Sequence, residues 1–299
     1  MSRLSVEDGE LLSASEHGRV SALAAQCLRD LYKCSERYPE LFPEGPFAPT
    51  VFTGVALANA WGSPWATADQ LRIAVRTSLW VFAADWLVDY VAKSADEVDA
   101  IVRGCLEVAD GARPESHAPL MCFLADIRDE LVARPAFAAL GNAWRAQLER
   151  YLAAMAREWE WKAALASGSP LPTFEDYLAN ADNFGSALVN ISHWIYGGDP
   201  ATVRHVAELS VVSREVQRIL RLLNDLATYE RDLGWGDLNA QMLGVGKADI
   251  SRRLATLVAY CRDLLHPLRD SCPQEAIYLE RQIGFSTGFY GMTDYWGAL

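Results

Sequence analysis

Apolar residues recur at steps of three and four over long stretches of this chain, and sustained alternation with a period of two is missing. Segments 17–36, 66–92, 120–133 and 136–165 each hold the helical period over a helix-sized length, as do 201–233, 247–265 and 274–293. Between them lie clusters of Pro, Gly and Ser: PEGPFAP at 43–49, GSP at 62–64, ARP at 112–114, SGSPLP at 167–172 and GGDP at 197–200. Thr173, three residues before Asp176, predicts a helix start after the loop at 167–172. Gly185-Ser186 predicts a kink or break within the helix that follows. No repeat, low-complexity block or shift of composition divides the chain. The pattern predicts a single all-α domain over residues 1–299, built from ten or more helices as a bundle or barrel, with 1–15 as an irregular N-terminal tail.

Composition narrows the partners. With 51% apolar and 22% charged residues, the 299-residue chain has enough apolar side chains for a large core. Its 39 acidic and 27 basic residues give a net charge of −12, which disfavours nucleic acid and anionic lipid. An anionic small substrate then needs local cations or metal. The six cysteines form no CxxC pair, and the five histidines show no HxxxH or HExxH spacing, so buried free thiols and unligated histidines are expected. His193, two turns past Gly185, is expected to be a hydrogen-bonded core histidine, with a place beside the cavity as the alternative. The N-terminus lacks a signal-peptide core, and the uncharged stretch 45–68 is broken by Pro46, Pro49 and Pro64. A cytoplasmic chain without a membrane span is expected.

Two polar faces interrupt the apolar helices. Asp85 and Asp89 stand four residues apart, about 40° apart around a helix, with Phe82 on the same face. Two neighbouring acids repel, and beside so apolar a run they require a cation or water. Mg²⁺ suits them because it takes carboxylate oxygens and retains waters that a phosphate can replace. The competing reading is that they mark where a buried helix reaches solvent. Further on, Asn224, Thr228 and Asp232 step by four and span roughly 80° of one face. An amide oxygen, a hydroxyl and a carboxylate are hard ligands suited to Mg²⁺ rather than zinc. Arg221 and Arg231 beside that row offer guanidinium clamps for a phosphate-bearing ligand. Asp225 and Glu230 point off the row, toward solvent or salt bridges. An ordinary exposed polar stripe is the alternative.

Together the segments Asp85-Trp86-Leu87-Val88-Asp89 and Asn224-Asp225-Leu226-Ala227-Thr228-Tyr229-Glu230-Arg231-Asp232 resemble the two metal-binding motifs of class I terpene synthases. The RLLND wording at 221–225 is similar to diterpene synthases of the kaurene-synthase type. Pro172-Thr-Phe-Glu-Asp-Tyr-Leu resembles the start of the helix that breaks beside the active site in that family. The resemblance covers roughly residues 45–296. It implies an α-helical barrel and a catalytic set of Asp85, Asp89, Asn224, Thr228, Asp232 and Gly185. Three Mg²⁺ ions would be held by all of these but Gly185, whose carbonyl would face the newborn cation. Arg221, Arg231 and Tyr295 would bind diphosphate, and Phe82, Trp86, Trp194, Tyr290 and Trp296 would line the cavity.

Four positions depart from the family pattern. Trp86 stands where a second aspartate is usual, and Asp232 replaces a glutamate. No arginine lies near Ala181, and no C-terminal Arg-Tyr pair is present: Tyr290 and Asp294-Tyr295 occupy that neighbourhood. The resemblance implies ionisation of a prenyl diphosphate, with aromatic faces stabilising the cation in a dry pocket. Because no DxDD string occurs, protonation-initiated cyclisation is excluded, and a separate class II cyclase is the expected supplier of a bicyclic, copalyl-type C20 diphosphate. A synthase using linear C20 or C15 diphosphate, a head-to-head or chain-elongating prenyl transferase, and a non-catalytic helical scaffold are the alternatives. A homodimer is the assembly the resemblance implies.

Overall fold

The computed structural model describes residues 9–297, and every described regular element is helical. In chain order these are α1 (Gly9–Ser35), α2 (Pro49–Gly62), α3 (Ala68–Trp86), α4 (Ala95–Ala109), α5 (Pro119–Val132), α6 (Phe137–Ser167) and α7 (Phe174–Ala179). Then follow α8 (Ser186–Gly197), α9 (Pro200–Arg204), α10 (Val206–Trp235), α11 (Lys247–Leu265), α12 (Leu268–Ser271) and α13 (Pro273–Tyr290).

Local chemistry sets the boundaries. Pro49, Pro119, Pro200 and Pro273 each stand at a first helical position, where the missing N–H costs nothing. Thr67 and Gln70 cap α3 reciprocally: the Gln70 amide donates to Thr67 Oγ1 (3.3 Å) and the Thr67 amide to Gln70 Oε1 (2.8 Å). The expected start at Thr173 is present, with the Asp176 amide donating to Thr173 Oγ1 at 3.1 Å.

Several expectations change. α1 already begins at Gly9, so residues 9–15 of the expected irregular tail are helical, and residues 1–8 lie outside the described residues. α2 was hidden because its apolar residues run round the whole helix rather than along one stripe. The expected helix 201–233 is broken at His205. The expected helix 274–293 ends at Tyr290.

One continuous apolar cluster joins elements from Val20 on α1 to Trp296. α3 is central to it, packed against α1, α2, α5 and α8, with Leu71, Ile73, Leu79 and Trp80 excluded from water. Trp80 Nε1 donates to the Leu120 carbonyl at 3.0 Å, which satisfies a donor that burial would otherwise strand. α10 packs on α8, α11 and α13. This arrangement leaves a hollow bounded by α2, α3, α6, α8, α10 and α13.

Candidate active site

A cavity of about 200 Å³ opens between these helices, and both polar faces reach it. Asp85 and Asp89 come from the end of α3, Asn224, Arg231 and Asp232 from α10, and Phe82, Gly185, Arg221, Tyr290, Tyr295 and Trp296 complete much of the wall. Val55, Val81, Val189 and Leu220 add apolar lining. Polar groups from two distant segments therefore share one hollow with apolar side chains.

The first acid pair straddles a change of backbone, with Asp85 in the last turn of α3 and Asp89 beyond it. After Trp86 the helix widens into a π turn over Leu87–Val91, closed by the Ala92 amide donating to the Leu87 carbonyl (2.8 Å). Burial pushes the Asp85 carboxyl up to about 7, with the nearby Asp237 and Glu158 adding to it. Burial, then Asp85, drives Asp89 well above the ordinary carboxylate range. Asp89 Oδ1 is buried with no hydrogen-bond partner. Such an orphaned acceptor is costly unless a cation or ordered water reaches it.

The second row is partly committed to itself. The Thr228 hydroxyl lies 2.9 Å from the Asn224 carbonyl and 2.7 Å from Asp232 Oδ2 and can donate to one at a time. Asn239 Nδ2 donates to Asp232 Oδ2 at 2.9 Å. Thr228 is thus buried behind the wall rather than on it, unlike Asn224 and Asp232. Arg231 Nη2 reaches Asp232 Oδ1 (3.3 Å), and its Nε and Nη1 are buried without an aligned hydrogen bond.

Three further expectations are corrected. Trp86 does not line the cavity; its ring stacks on Tyr90 (4.8 Å between centroids) and packs on Trp296, buttressing the wall from behind. Trp194 faces a second pocket on the far side of α8. Asp225 is buried rather than solvated, receiving a hydrogen bond from Tyr177 Oη (2.9 Å) and lying 3.4 Å from Arg221 Nε. Burial lifts its carboxyl to about 7 against the pull of Arg221. Arg221 itself is held by Glu158 (2.5 Å) and donates to Tyr177 Oη (2.6 Å), so it enters the wall already paired.

Gly185 sits at the break between the short turn Ala181–Phe184 and α8, at φ +73°. A Cβ there would fall 2.6 Å from Val81 Cγ1 and 3.2 Å from Tyr151 Cε2, so only glycine fits. Its carbonyl faces α8, accepting from the Leu188 amide at 3.1 Å.

Glu158 and Asp237 also line the cavity and were not singled out from sequence. Asn183 donates to Glu158, Tyr90 donates to Asp237, and Lys162 Nζ reaches Asp237 Oδ1 at 2.6 Å. Glu158 lies inside an EWEWK run that reads as an amphipathic surface, and Asp237 follows the end of α10 in a loop. Neither belongs to a spaced motif.

Among the described residues, no three His, Cys, Asp or Glu side chains converge into one ready-made cluster. The acid pair and the Asn-Thr-Asp row are instead separate groups of hard oxygens, with at most two carboxylates apiece. That donor set fits an ion that binds through one or two carboxylates and otherwise keeps water.

Residues 76–245, more than half of the chain, match the family model described as terpene synthase family 2, C-terminal metal binding. The chain belongs to that family. It is a class I terpene synthase. It is 24% identical over 283 residues to ent-pimara-9(11),15-diene synthase of Streptomyces sp. (strain KO-3988), covering 92% of this chain and 93% of that protein. Its fold is similar to that of linalool/nerolidol synthase from Streptomyces clavuligerus, solved with 2-fluorogeranyl diphosphate (TM-score 0.66, 19% identity, 91% and 97% of the two chains). It is also similar to 2-methylisoborneol synthase from Streptomyces coelicolor A3(2), solved with Mg²⁺ and 2-fluoroneryl diphosphate (TM-score 0.67, 18% identity, 90% of each). Among the described residues, no helix of this terpene synthase is long and apolar enough to cross a membrane.

The second pocket, about 270 Å³, is lined by Ser63, Trp65, His193, Trp194, Asp199 and Glu275 among others, and shares Tyr278 with the first. His193 Nε2 lies 3.3 Å from Ser63 Oγ, and burial holds the ring's titration down to about 4. Because the unfolded ring titrates near 6.5, the unfolded chain takes the proton first. The stability of the neutral ring is therefore full above that value and lost as pH falls toward 4. Wild type is expected to lose about 1 to 2 kcal/mol, a few degrees in Tm, relative to His193→Gln between pH 7 and pH 5. Thermal melts at both pH values check it; parallel curves would remove His193 from the acid response.

Proposed function

We propose that this terpene synthase ionises a C20 allylic diphosphate, a bicyclic copalyl-type or related labdane diphosphate, and releases diphosphate with a diterpene hydrocarbon or alcohol. The observation that carries the proposal is the meeting of two oxygen-donor rows on the walls of one cavity that apolar and aromatic side chains also line. The pimaradiene named for the Streptomyces relative favours a C20 skeleton, and the whole chain would act as one catalytic domain.

In this reading Asp85 and Asp89 hold Mg²⁺ on one wall, and Asn224, Thr228 and Asp232 hold it on the other, three ions in all. The orphaned Asp89 Oδ1 supports that assignment, and the neighbouring structure solved with Mg²⁺ and a fluorinated diphosphate supports the metal. When bound, Mg²⁺ supplies Lewis-acid stabilisation of the departing diphosphate and reverses the local negative charge. Thr228 then serves after turning its hydroxyl hydrogen to the Asn224 carbonyl, which leaves its lone pairs free. Arg231 Nε is buried without a partner and is the donor free to meet the diphosphate, while Nη1 and Nη2 face carboxylates. Arg221 acts from its pairing with Glu158, and Tyr295 borders the anion site from the C-terminal side. Phe82, Tyr290, Tyr295 and Trp296, all lining the cavity, would stabilise the cation by about 2 kcal/mol for each ring face it meets when desolvated, and would exclude water together with Val81 and Val189. A separate class II cyclase would supply the bicyclic substrate, and a homodimer in the cytoplasm is the expected setting.

The test is incubation of purified protein with Mg²⁺ and C10, C15, linear C20 and bicyclic C20 diphosphates, followed by diphosphate assay and mass spectrometry. A C20 hydrocarbon or alcohol from the bicyclic substrate is expected. Turnover of only linear substrates overturns the copalyl assignment, and longer prenyl chains from two substrates would identify a prenyl transferase. Diphosphate release from none of them overturns the proposal.

A further inference from the structure

Residues 291–297 carry Tyr295 and Trp296 into the cavity wall, and one ion pair ties them to α10. Asp294 Oδ1 accepts from the Gly297 amide at 2.8 Å and lies 2.6 Å from Arg231 Nη1. The two side chains are 18% and 17% exposed, so the pair is largely shielded from water. The Tyr295 ring packs on Phe82 and Phe289 (5.2 and 4.7 Å between centroids), and Trp296 on Phe47 and Phe82 (5.4 Å each). On the opposite side a Cβ at Gly54 would fall 2.7 Å from Tyr295 Cδ1, so α2 is shaped to admit that ring. The segment is thus seated by aromatic packing and fastened by a single charge contact.

That contact uses the guanidinium that faces the anion site. Arg231 is shared between Asp232 and Asp294, yet Nε and Nη1 keep no aligned hydrogen bond. A polyanion offers a guanidinium more charge and better-directed acceptors than one carboxylate does. An arriving diphosphate therefore competes with Asp294 for Arg231. Once displaced, Asp294 is a shielded carboxylate without its cation, a costly state unless it moves toward water. Movement of Asp294 carries Tyr295 and Trp296, its immediate neighbours, and with them part of the wall.

We infer that Asp294 is a positioning residue that stands in for the diphosphate on Arg231 and couples filling of the anion site to the setting of the Tyr295–Trp296 wall. The inference rests on the terpene synthase reading of the cavity. It assigns to an acidic residue the place where the family resemblance implies a basic one, and Asp294 acts there by opposing anion binding rather than by assisting it.

The experiment is calorimetric titration of inorganic pyrophosphate in the presence of Mg²⁺ into full-length wild type, Asp294→Asn, Asp294→Glu, Arg231→Gln and the Asp294→Asn/Arg231→Gln double variant. It is joined to hydrogen exchange of the 291–297 segment. Asp294→Asn is expected to bind pyrophosphate about fivefold tighter than wild type. Asp294→Glu, which keeps the charge, should stay near wild type, and the double variant should match Arg231→Gln. Pyrophosphate should change exchange in 291–297 of wild type, and Asp294→Asn should already resemble that bound state without ligand. A purely structural Asp294 predicts weaker binding in every Asp294 variant, and that result overturns the inference. So does an Asp294→Asn effect that persists in the Arg231→Gln background. If Asp294→Asn does not fold, unchanged exchange in wild type on adding pyrophosphate overturns it instead. Wild type that neither binds pyrophosphate nor turns over any prenyl diphosphate defeats the enzyme reading itself. Wild type that does both, with no tightening in Asp294→Asn, defeats only this inference.

Discussion

Asp85→Asn is expected to lower diphosphate release by about a thousandfold, roughly 4 kcal/mol of transition-state stabilisation, while raising the melting temperature of the metal-free protein. The activity loss follows from removing one of two carboxylates on the α3 wall. The stability gain follows from the burial of this acid, to which the crowding of acids there adds. Burial, then Asp237 and Glu158, hold the Asp85 carboxyl at about 7, against 3.8 in the unfolded chain. Below 3.8 both states carry the proton and no penalty exists. As pH rises through 7 the native state must bury the charge, and stability contributed by the protonated form is lost. The variant has no charge to bury, so its advantage should be near zero at pH 4 and roughly 4 kcal/mol, about 6 °C, at pH 8. Mg²⁺ with pyrophosphate should reverse the order, because only wild type offers the full site. Assays of diphosphate release paired with melts at pH 4 and pH 8 check both halves. Turnover within tenfold of wild type would remove Asp85 from the chemistry.

Gly185→Ala is expected to cost about 3 kcal/mol and lower Tm by about 5 °C, the sum of a left-handed backbone penalty and a packing clash. The positive φ accounts for the first part. The second is the 2.6 Å approach of a new Cβ to Val81 Cγ1, made worse because Tyr151 Oη donates to the Val81 carbonyl (3.0 Å) and fixes that stretch of α3. Val81→Ala combined with Gly185→Ala should recover the clash but not the backbone term, leaving a residual loss beyond that of Val81→Ala alone. Melts of the three variants decide it. Any activity that remains should show an altered product ratio, because Val81 and Gly185 both face the cavity. A Gly185→Ala protein with wild-type stability would mean that the break at 185 relaxes freely.

Apolar periodicity was sufficient for the all-α class and for most long helices, because a helix that covers a core carries a one-sided stripe. It failed for α2, whose apolar residues surround the helix, and for the first turns of α1, where Leu11 and Leu12 are exposed and no stripe forms. α4 went unread although Val98, Cys105 and Val108 mark a buried side. The oxygen rows were legible because spacing by four survives on any helix. Their partners were not. Glu158, Asp237 and Lys162 lie in unrelated segments and acquire meaning only when α6 and the loop after α10 approach the end of α3.

The sequence by itself determined the helical class, the two polar rows and a break at Gly185-Ser186, since each depends on periodicity or on backbone limits local to a few residues. Tertiary structure alone decided that Trp86 backs the wall while Trp296 forms it, that Trp194 belongs to another pocket, and that Arg231 divides itself between Asp232 and Asp294. Those outcomes depend on which helix lies opposite, and contact between residues far apart in the chain leaves no mark on the spacing within either segment.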